Sequence, residues 1–256
     1  MLGSENPLSL PASSATPASS RSPLSLAARA YLEIRERILR GEPVVGEVIS
    51  RRKLAEELNI SVPPVTEALQ HLESEGLLES KPRVGTRVRI PTPQDIEDRC
   101  VLREALESQA ARLFAARATP EEKEALRQMG RQVDQLYASC ANPPLDPGFL
   151  YSAHRFHMSL HVRIAECSRS AALRDAIEKE RVLILGWRYE IAVGRRELPK
   201  DFHAKLTDIL ATGTPEQADA AMRDHIQTGL KDILARLHRI ESGSNDWRRK
   251  KTPAGS

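Results

Sequence analysis

The sequence predicts a mostly α-helical protein that has one short β-hairpin near its N-terminus and an all-α helical bundle after it. Apolar residues recur at helical spacing along most of the chain, as expected for helices that bury one face. Thr119 and Thr214 each provide a capping hydroxyl followed by proline and then acid, which is a signal for the start of a helix. Two short runs on either side of Pro82 and Gly85 are suited to pair as strands.

Composition and cysteine use limit the class of protein. The 256 residues suit one large domain or two of ordinary size, and a net charge of +3 is a weak indication of nucleic acid binding. Cys100, Cys140 and Cys167 lie far apart without a CxxC motif, so we expect buried free thiols and not disulfides or zinc ligands. The sequence has no apolar run that could cross a bilayer and no signal peptide, which favours a cytoplasmic protein with no membrane partner.

Residues 23–91 have the order of elements found in a winged helix-turn-helix. Ser50 is placed to cap the second helix, and Asn59 suits the tight turn that follows it. A fold of this type inserts its third helix into the DNA major groove, so we expect double-stranded DNA as the partner. The predicted elements are helices Leu26–Arg40, Arg51–Leu58 and one capped by Ser61 and ended by Gly76, then strands 77–80 and 86–90.

The DNA-reading surface is predicted from exposed positions on these elements. The second helix opens with basic residues beside free backbone N–H groups, where phosphate binds well. Hydroxyls and an amide on the third helix suit phosphates and base edges, and an arginine at the wing tip suits a minor groove. The alternative is a winged helix that binds protein and carries ordinary surface charges. The predicted contacts are Arg51, Arg52, Ser61, Val62, Pro63, Pro64, Thr66, Gln70, Arg83 and Gly85.

Both ends of the chain are predicted to be tails. Residues 1–22 are rich in Ser, Pro and Ala and cannot bury enough apolar surface to offset their ordering entropy. Residues 242–256 form a flexible tail with a basic cluster, Arg248 to Lys251. This cluster either contacts DNA phosphates or stays solvated, and solvated tails are the commoner case.

Residues 94–241 are predicted to form a second, all-α domain that is large enough to bury its own core. A stiff linker, Pro91 to Pro93, separates it from the winged helix. The predicted helices lie near residues 94–117, 120–140, 146–168, 170–193, 200–212 and 215–240.

Histidines in the second domain form a candidate metal site. His157 and His161 are four residues apart and therefore share one face of a helix. His203 and His225 lie on later helices, and a bundle could bring all four imidazoles to one point. A polar helix face is the alternative. A metalloprotease is a poor interpretation because Met158, and not glutamate, follows His157, so we predict no catalytic residues.

The run LAEELNIS, PPV and EALQHLESEGLLESKPRVGTRV resembles the GntR family of bacterial transcription regulators over about residues 26–90. The family usually carries Arg-Thr-Pro-Val-Arg where this chain has Val62 to Thr66, so two arginines that the family uses on operator DNA are missing here. Arg52 and Ser61 match contact positions of the family. The resemblance therefore implies a regulator whose operator differs from the commonest one of the family.

Residues 95–240 resemble the FadR-like, or FCD, ligand-binding domain of the same regulators. Members often hold a divalent metal with an Asp four residues before a His, and with two later His. Aligning LHVRIAECSRSAAL places His157 on the Asp and His161, His203 and His225 on the histidines. An alternative register puts Ala153 at the Asp position but fits the downstream segment less well. Four imidazoles favour Zn²⁺, with Ni²⁺ or Cu²⁺ possible, over Mg²⁺.

The resemblance also implies an effector and an assembly. Members of this type sense small organic acids, and Arg103 matches a common arginine that could bind a carboxylate in a bidentate manner. A salt bridge to Glu107 is an equally good interpretation of Arg103. Arg188 is a further candidate for the effector pocket, and packing between protomers is an equal alternative for it. We expect a homodimeric regulator, and repression relieved by a ligand is the default. A metal-responsive regulator and a metal-dependent enzyme are the alternatives.

Overall fold

The computed structural model describes residues 24–43, 46–89, 91–140, 147–180 and 199–242, and these are mostly helical, as predicted. Arg188 and the two predicted tails lie outside the described residues, apart from the first residue of the C-terminal tail. The elements are α1 (Leu26–Leu39), α2 (Arg51–Leu58), α3 (Val62–Ser74), β1 (Leu78–Lys81), β2 (Gly85–Val88), α4 (Pro93–Arg117), α5 (Pro120–Ser139), α6 (Pro147–Cys167), α7 (residues 171–180), α8 (Phe202–Thr212) and α9 (Pro215–Ser242).

The N-terminal unit, α1 to β2, packs its three helices around one apolar core. The Ser50 side chain accepts a hydrogen bond from the Lys53 backbone N–H at 3.3 Å, and Asn59 adopts the left-handed conformation that ends α2. Ser61 lies at the cap position of α3, but its side chain makes no capping hydrogen bond, which corrects the expected role of its hydroxyl. Pro63 and Pro64 are tolerated there because the first turn of a helix needs no backbone donors. The buried side chains include Ile34, Ile38, Val65, Leu69, Leu72 and Leu78.

The wing is an antiparallel hairpin that pairs Leu78 with Val88 and Lys81 with Gly85. The first strand begins one residue later than predicted, because the Leu77 N–H donates to the Leu72 carbonyl and completes the end of α3. Arg83 and Gly85 have positive φ values of 65° and 97° at the turn. Glycine adopts positive φ values readily, which suits Gly85 to this turn. Arg83 lies in the same turn and is exposed at the tip of the wing.

The C-terminal bundle, α4 to α9, is capped as the sequence predicts. Thr119 and Glu122 form a reciprocal capping box at the start of α5, and Thr214 and Gln217 exchange the same pair of bonds before α9. Helix α4 packs along α9, and α5 packs on α8. The core contains Phe114, Leu126, Leu160, Ile164, Leu210, Met222 and Ile226, all fully buried.

Helix α6 contributes side chains to the cores of both units. Its Tyr151 and Met158 join the apolar core of the N-terminal unit, and the Tyr151 hydroxyl donates to Glu36 of α1 at 3.1 Å. A different face of α6 points into the bundle, where Leu160 and Ile164 belong to the second core. Among the described helices, none combines the length and the apolar character needed to span a bilayer.

Candidate metal centre and DNA-reading surface

Four buried histidines meet inside the bundle. His157 and His161 lie one turn apart on α6, and their Nε2 atoms are 3.0 Å from each other. His203, near the start of α8, places its Nε2 atom 3.2 Å from that of His157. His225 of α9 completes the group, and its ring centroid lies 5.2 Å from the centroids of both His161 and His203.

The geometry of this cluster is suited to hold a metal ion. One ligand atom each from His157, His203 and His225 can be chosen so that all lie within 4.8 Å of one another. His161 joins them through the short Nε2–Nε2 distance to His157. The exposed fractions of the four residues lie between 0% and 5%, so the site is shielded from bulk water. The predicted set of ligands is therefore brought together from α6, α8 and α9.

Two carboxylates lie directly behind the imidazoles. Asp134 of α5 lies 2.7 Å from the His203 Nδ1 atom and also accepts the backbone N–H groups of His203 and Ala204. Burial acts to raise the pKa of Asp134, but these hydrogen bonds outweigh it and lower the pKa below its ordinary value. On the other side of the cluster, Glu107 Oε2 lies 2.6 Å from the His161 Nδ1 atom.

Glu107 is held by Arg103, one turn earlier on α4. The guanidinium donates through Nε at 2.7 Å and through Nη2 at 3.3 Å, and both side chains are buried. Burial alone raises the pKa of Glu107, whereas Arg103 and then His161 lower it, and the pKa falls to about 2. Glu107 is therefore ionised at neutral pH. Arg103 makes the salt bridge that the sequence offered as the alternative to effector binding.

Tyr137 of α5 supports the remaining ligand of α6. Its hydroxyl lies 3.0 Å from the His157 Nδ1 atom and 2.8 Å from the Nδ1 atom of His154, while its ring stacks on His203. His154 is 3% exposed, so it is buried beside the cluster and contacts it through the same hydroxyl. The Nδ1 atoms of His157 and His203 thus have hydrogen-bond partners and that of His161 lies next to a carboxylate, which leaves the Nε2 atoms of these three residues directed at the cluster.

A glycine allows α5 to approach α8 closely enough for these contacts. A Cβ atom at Gly130 would lie 2.9 Å from the backbone oxygen of His203 and would overlap the side chain of Thr207. The absence of that atom brings Asp134 and Tyr137, one and two turns further along α5, within reach of His203. Close packing at Gly130 therefore positions His203 and Asp134 together.

Sequence reasoning missed Asp134, Tyr137 and Glu107 as parts of this site. Asp134 and Tyr137 are three residues apart in DQLY and so share a helix face, which was a usable signal. Arg103 and Glu107 share a face at a spacing of four, and their pairing was anticipated. Which imidazole each carboxylate meets depends on helices separated by as many as 69 residues in sequence, and no local pattern encodes that.

The predicted DNA-reading residues lie on α2, on α3 with its cap position, and on the wing, and they differ in what their side chains already contact. Arg51 donates to the Thr86 hydroxyl at 3.1 Å, which ties α2 to the wing, and Thr66 donates to the Val62 carbonyl at 3.1 Å. Arg52 and Arg83 are exposed and have no ion pair or hydrogen bond within the described part of the chain. The remaining predicted positions are exposed at Ser61, Val62, Pro63, Gln70 and Gly85 and half-buried at Pro64.

A winged helix-turn-helix joined to an all-α bundle with a buried polar site is the architecture of a DNA-binding regulator with a ligand-sensing domain. Residues 26–88 match the family described as bacterial regulatory proteins, gntR family, and residues 98–228 match the FCD domain. The chain belongs to the GntR family of transcriptional regulators and carries an FCD effector-binding domain. The resemblance that the sequence suggested is confirmed.

Two similar proteins that are described as regulators agree with this assignment. The chain is 30% identical over 199 residues to a "probable D-xylose utilization operon transcriptional repressor" of Paenarthrobacter nicotinovorans, covering 74% of this chain and 80% of that protein. It is 28% identical to the "Nta operon transcriptional regulator" of Aminobacter aminovorans, covering 74% of this chain and 85% of the other. The family and these relatives are regulators, so the expectation that the chain is not an enzyme is confirmed, and the alternative of a metal-dependent enzyme is set aside.

Solved structures share the fold. A TM-score of 0.65 relates the chain to Escherichia coli McbR/YncC, with 21% identity and coverage of 84% of this chain and 100% of that one. A GntR regulator from Rhodococcus sp. RHA1 gives a TM-score of 0.67 at 19% identity, with coverage of 82% and 97%. At these identities the likeness concerns the arrangement of helices and not the ligand.

Proposed function

We propose that this regulator acts in the cytoplasm as a homodimer that binds operator DNA and responds to a small carboxylate bound at a metal in the FCD bundle. The observation that carries the proposal is the cluster of four buried histidines, of which His161 and His203 each place Nδ1 on a carboxylate. Repression relieved by the effector is the default sign, in line with a relative that is described as a repressor.

The donor set fits a borderline divalent metal, with Zn²⁺ first and Ni²⁺ or Cu²⁺ as alternatives. A neutral imidazole binds a metal through the nitrogen that carries no proton, and a carboxylate at the other nitrogen holds the proton there. His161 and His203 meet this condition through Glu107 and Asp134. These carboxylates also supply negative charge behind the four neutral ligands, and Arg103 offsets part of it.

The carboxylate effector is proposed because a dication held by neutral ligands retains positive charge, and this charge attracts an anionic oxygen when the metal is bound. Arg103 reaches the site through Glu107 and His161, so its role in effector binding is proposed as indirect. A direct contact from Arg188 belongs to the same proposal and concerns a residue outside the described chain.

A metal-responsive regulator is the second candidate, because the histidines are almost fully buried and closely spaced. Such a site leaves little room for an organic ligand, and the ion itself would then be the effector. One measurement distinguishes the two candidates. It is the change in affinity for operator fragments, selected from the source genome, when each ligand is added. A change on adding Zn²⁺ alone favours the metal-responsive candidate, and a change that also requires an organic acid favours the carboxylate.

Replacing a histidine ligand should remove the metal. We expect the protein purified without a histidine tag and supplied with Zn²⁺ to contain about one metal ion per chain, and His161→Ala or His203→Ala to lose most of it. Elemental analysis measures this directly. His71→Ala, at an exposed position of α3, is the control and should keep the metal. Substoichiometric metal in the parent protein, unchanged by His161→Ala, would contradict the metal site.

Removing two unpaired arginines should weaken DNA binding. Arg52 and Arg83 are exposed and form no ion pair or hydrogen bond within the described part of the chain. Changing both to alanine should therefore lower operator affinity by about 10-fold or more. Each lost phosphate contact should also reduce the slope of log affinity against log salt by about one. Fluorescence anisotropy over a salt series measures both quantities.

A control for this pair makes the same change of charge elsewhere. Arg131→Ala with Arg174→Ala removes two exposed cations from the C-terminal bundle. Equal losses of affinity in the two double variants would indicate a general effect of charge and not a contact surface.

A further inference from the structure

Helix α6 carries two rows of buried side chains that point to different parts of the molecule. Tyr151 and Met158 lie two turns apart in one row and belong to the apolar core of the N-terminal unit. His157 and His161 lie one turn apart in the other row and enter the histidine cluster. At 3.6 residues per turn, the two rows are about 90° apart around the helix axis. The same stretch of α6, residues 151–161, therefore contacts both units.

Glu36 of α1 receives the polar contacts from the first row. Its Oε1 atom accepts from the Tyr151 hydroxyl at 3.1 Å, and a guanidinium nitrogen of Arg155 lies 3.7 Å from the same atom. Arg40, one turn after Glu36 on α1, donates to this oxygen at 3.1 Å, and its guanidinium lies 5.8 Å from the centre of the Tyr151 ring. The side chains of Arg155 and Arg40 are 61% and 55% exposed, whereas Tyr151 is 7% exposed. Exposed ion pairs contribute little, so the tyrosine is the main polar link between α6 and α1.

Helix α1 leads from this link to the predicted DNA-reading helix. It packs on α3, and Ile34 of α1 lies in the same apolar core as Val65 of α3. The Tyr31 hydroxyl of α1 also donates to Glu75, at the end of α3, at 2.7 Å. A close-packed core transmits a displacement from one helix to the next. A shift of α6 against α1 is therefore expected to change the position of α3.

We propose that α6 couples the histidine cluster to the N-terminal unit, and that the hydrogen bond from Tyr151 to Glu36 carries this coupling. A divalent metal held by His157 and His161 and by the histidines of α8 and α9 ties α6 to both of those helices. A more rigid α6 keeps Tyr151 in place and stabilises its bond to α1. The inference rests on the metal site of the proposed function and adds the route by which that site regulates DNA binding.

Hydrogen exchange of the full-length protein tests the coupling, with Zn²⁺ as the probe. Backbone amides of residues 36–40, at the end of α1, should exchange about 5-fold more slowly in zinc-loaded protein than in chelator-treated protein, which is a modest coupling between two sites. Tyr151→Phe removes only the hydroxyl, so it should abolish this difference and still bind zinc stoichiometrically. An equal slowing in the parent protein and in Tyr151→Phe would overturn the proposal.

Matched variants separate the link between the units from hydroxyl groups in general. Tyr31→Phe also removes a hydroxyl that donates to a glutamate, but within the N-terminal unit, so the slowing by zinc should remain. Glu36→Leu breaks the link from the side of α1 and should abolish the slowing. Glu36→Gln keeps an oxygen that accepts from Tyr151 and should retain it. A slowing that survives Glu36→Leu contradicts the coupling, and its loss in Glu36→Gln would assign the effect to charge and overturn the role of the hydrogen bond.

The outcomes also separate this proposal from the proposed function. Metal content measured on the same samples identifies the case in which no zinc binds, and both proposals then fail together. Stoichiometric zinc with unchanged exchange at residues 36–40 of the parent protein contradicts the coupling alone and leaves the metal site standing. Circular dichroism shows whether each variant is folded, and the two Glu36 variants decide the question if Tyr151→Phe is not.

Discussion

Replacing Arg103 with leucine should lower the free energy of unfolding by about 3–5 kcal/mol, because it leaves Glu107 charged and buried without its main partner. The change should also weaken metal binding, since Glu107 orients His161. Denaturant unfolding of the metal-free protein measures the first effect, and zinc titration measures the second. Both effects are expected from the position of Arg103 against Glu107 alone.

The control for Arg103 lies on the same helix. Arg112 forms an ion pair of similar length with Glu216, but this pair is exposed, with 44% and 65% of the side chains accessible. Arg112→Ala should therefore cost less than about 1 kcal/mol. Replacing Arg103 and Glu107 together with leucine should restore much of the stability and still impair zinc binding. An Arg103→Leu protein of unchanged stability that has lost effector binding would favour direct recognition of the carboxylate.

Gly130→Ala should destabilise the protein by about 1–3 kcal/mol, although alanine is the better helix former by about 1 kcal/mol. The added Cβ would meet the backbone oxygen of His203 and the side chain of Thr207, so α8 must move away from α5. We also expect weaker zinc binding, because His203 moves with α8. Thermal unfolding and zinc titration measure the two effects.

Two further variants show whether contact at this point is the cause. Gln132→Ala changes an exposed residue of α5 and should stay within about 0.5 kcal/mol of the parent protein. Thr207→Ala removes the overlapping side-chain atoms, so the loss caused by Gly130→Ala should be smaller when both changes are combined. A stabilised Gly130→Ala protein with normal zinc affinity would refute the close-contact account.

Much of the candidate site follows from sequence. The spacing of His157 and His161 places both on one face of α6, since residues four apart are neighbours on a helix. The alignment that puts His203 and His225 beside them agrees with where the structure places all four. These histidines as metal ligands, and Arg52 and Arg83 as DNA contacts, remain predictions.

The sequence left other properties undecided, because they depend on contacts between side chains in the folded protein. Arg103 had two good interpretations; the structure shows the salt bridge to Glu107, and contact with the effector remains a prediction. Arg51 and Arg52 are neighbours of the same type, yet Arg51 is tied to the Thr86 hydroxyl while Arg52 is exposed without such a bond. Side-chain partners on other elements decide these cases, and residue type does not.

The sequence by itself determined the order of elements, the helix starts at Thr119 and Thr214, and the pair of histidines on α6, because capping and helical periodicity act within a few residues. The tertiary structure decided that Asp134 faces His203 and that Tyr137 joins His154 to His157. Those contacts exist because α5 packs closely on α8 and α6, and packing between distant helices depends on the shape of the whole core.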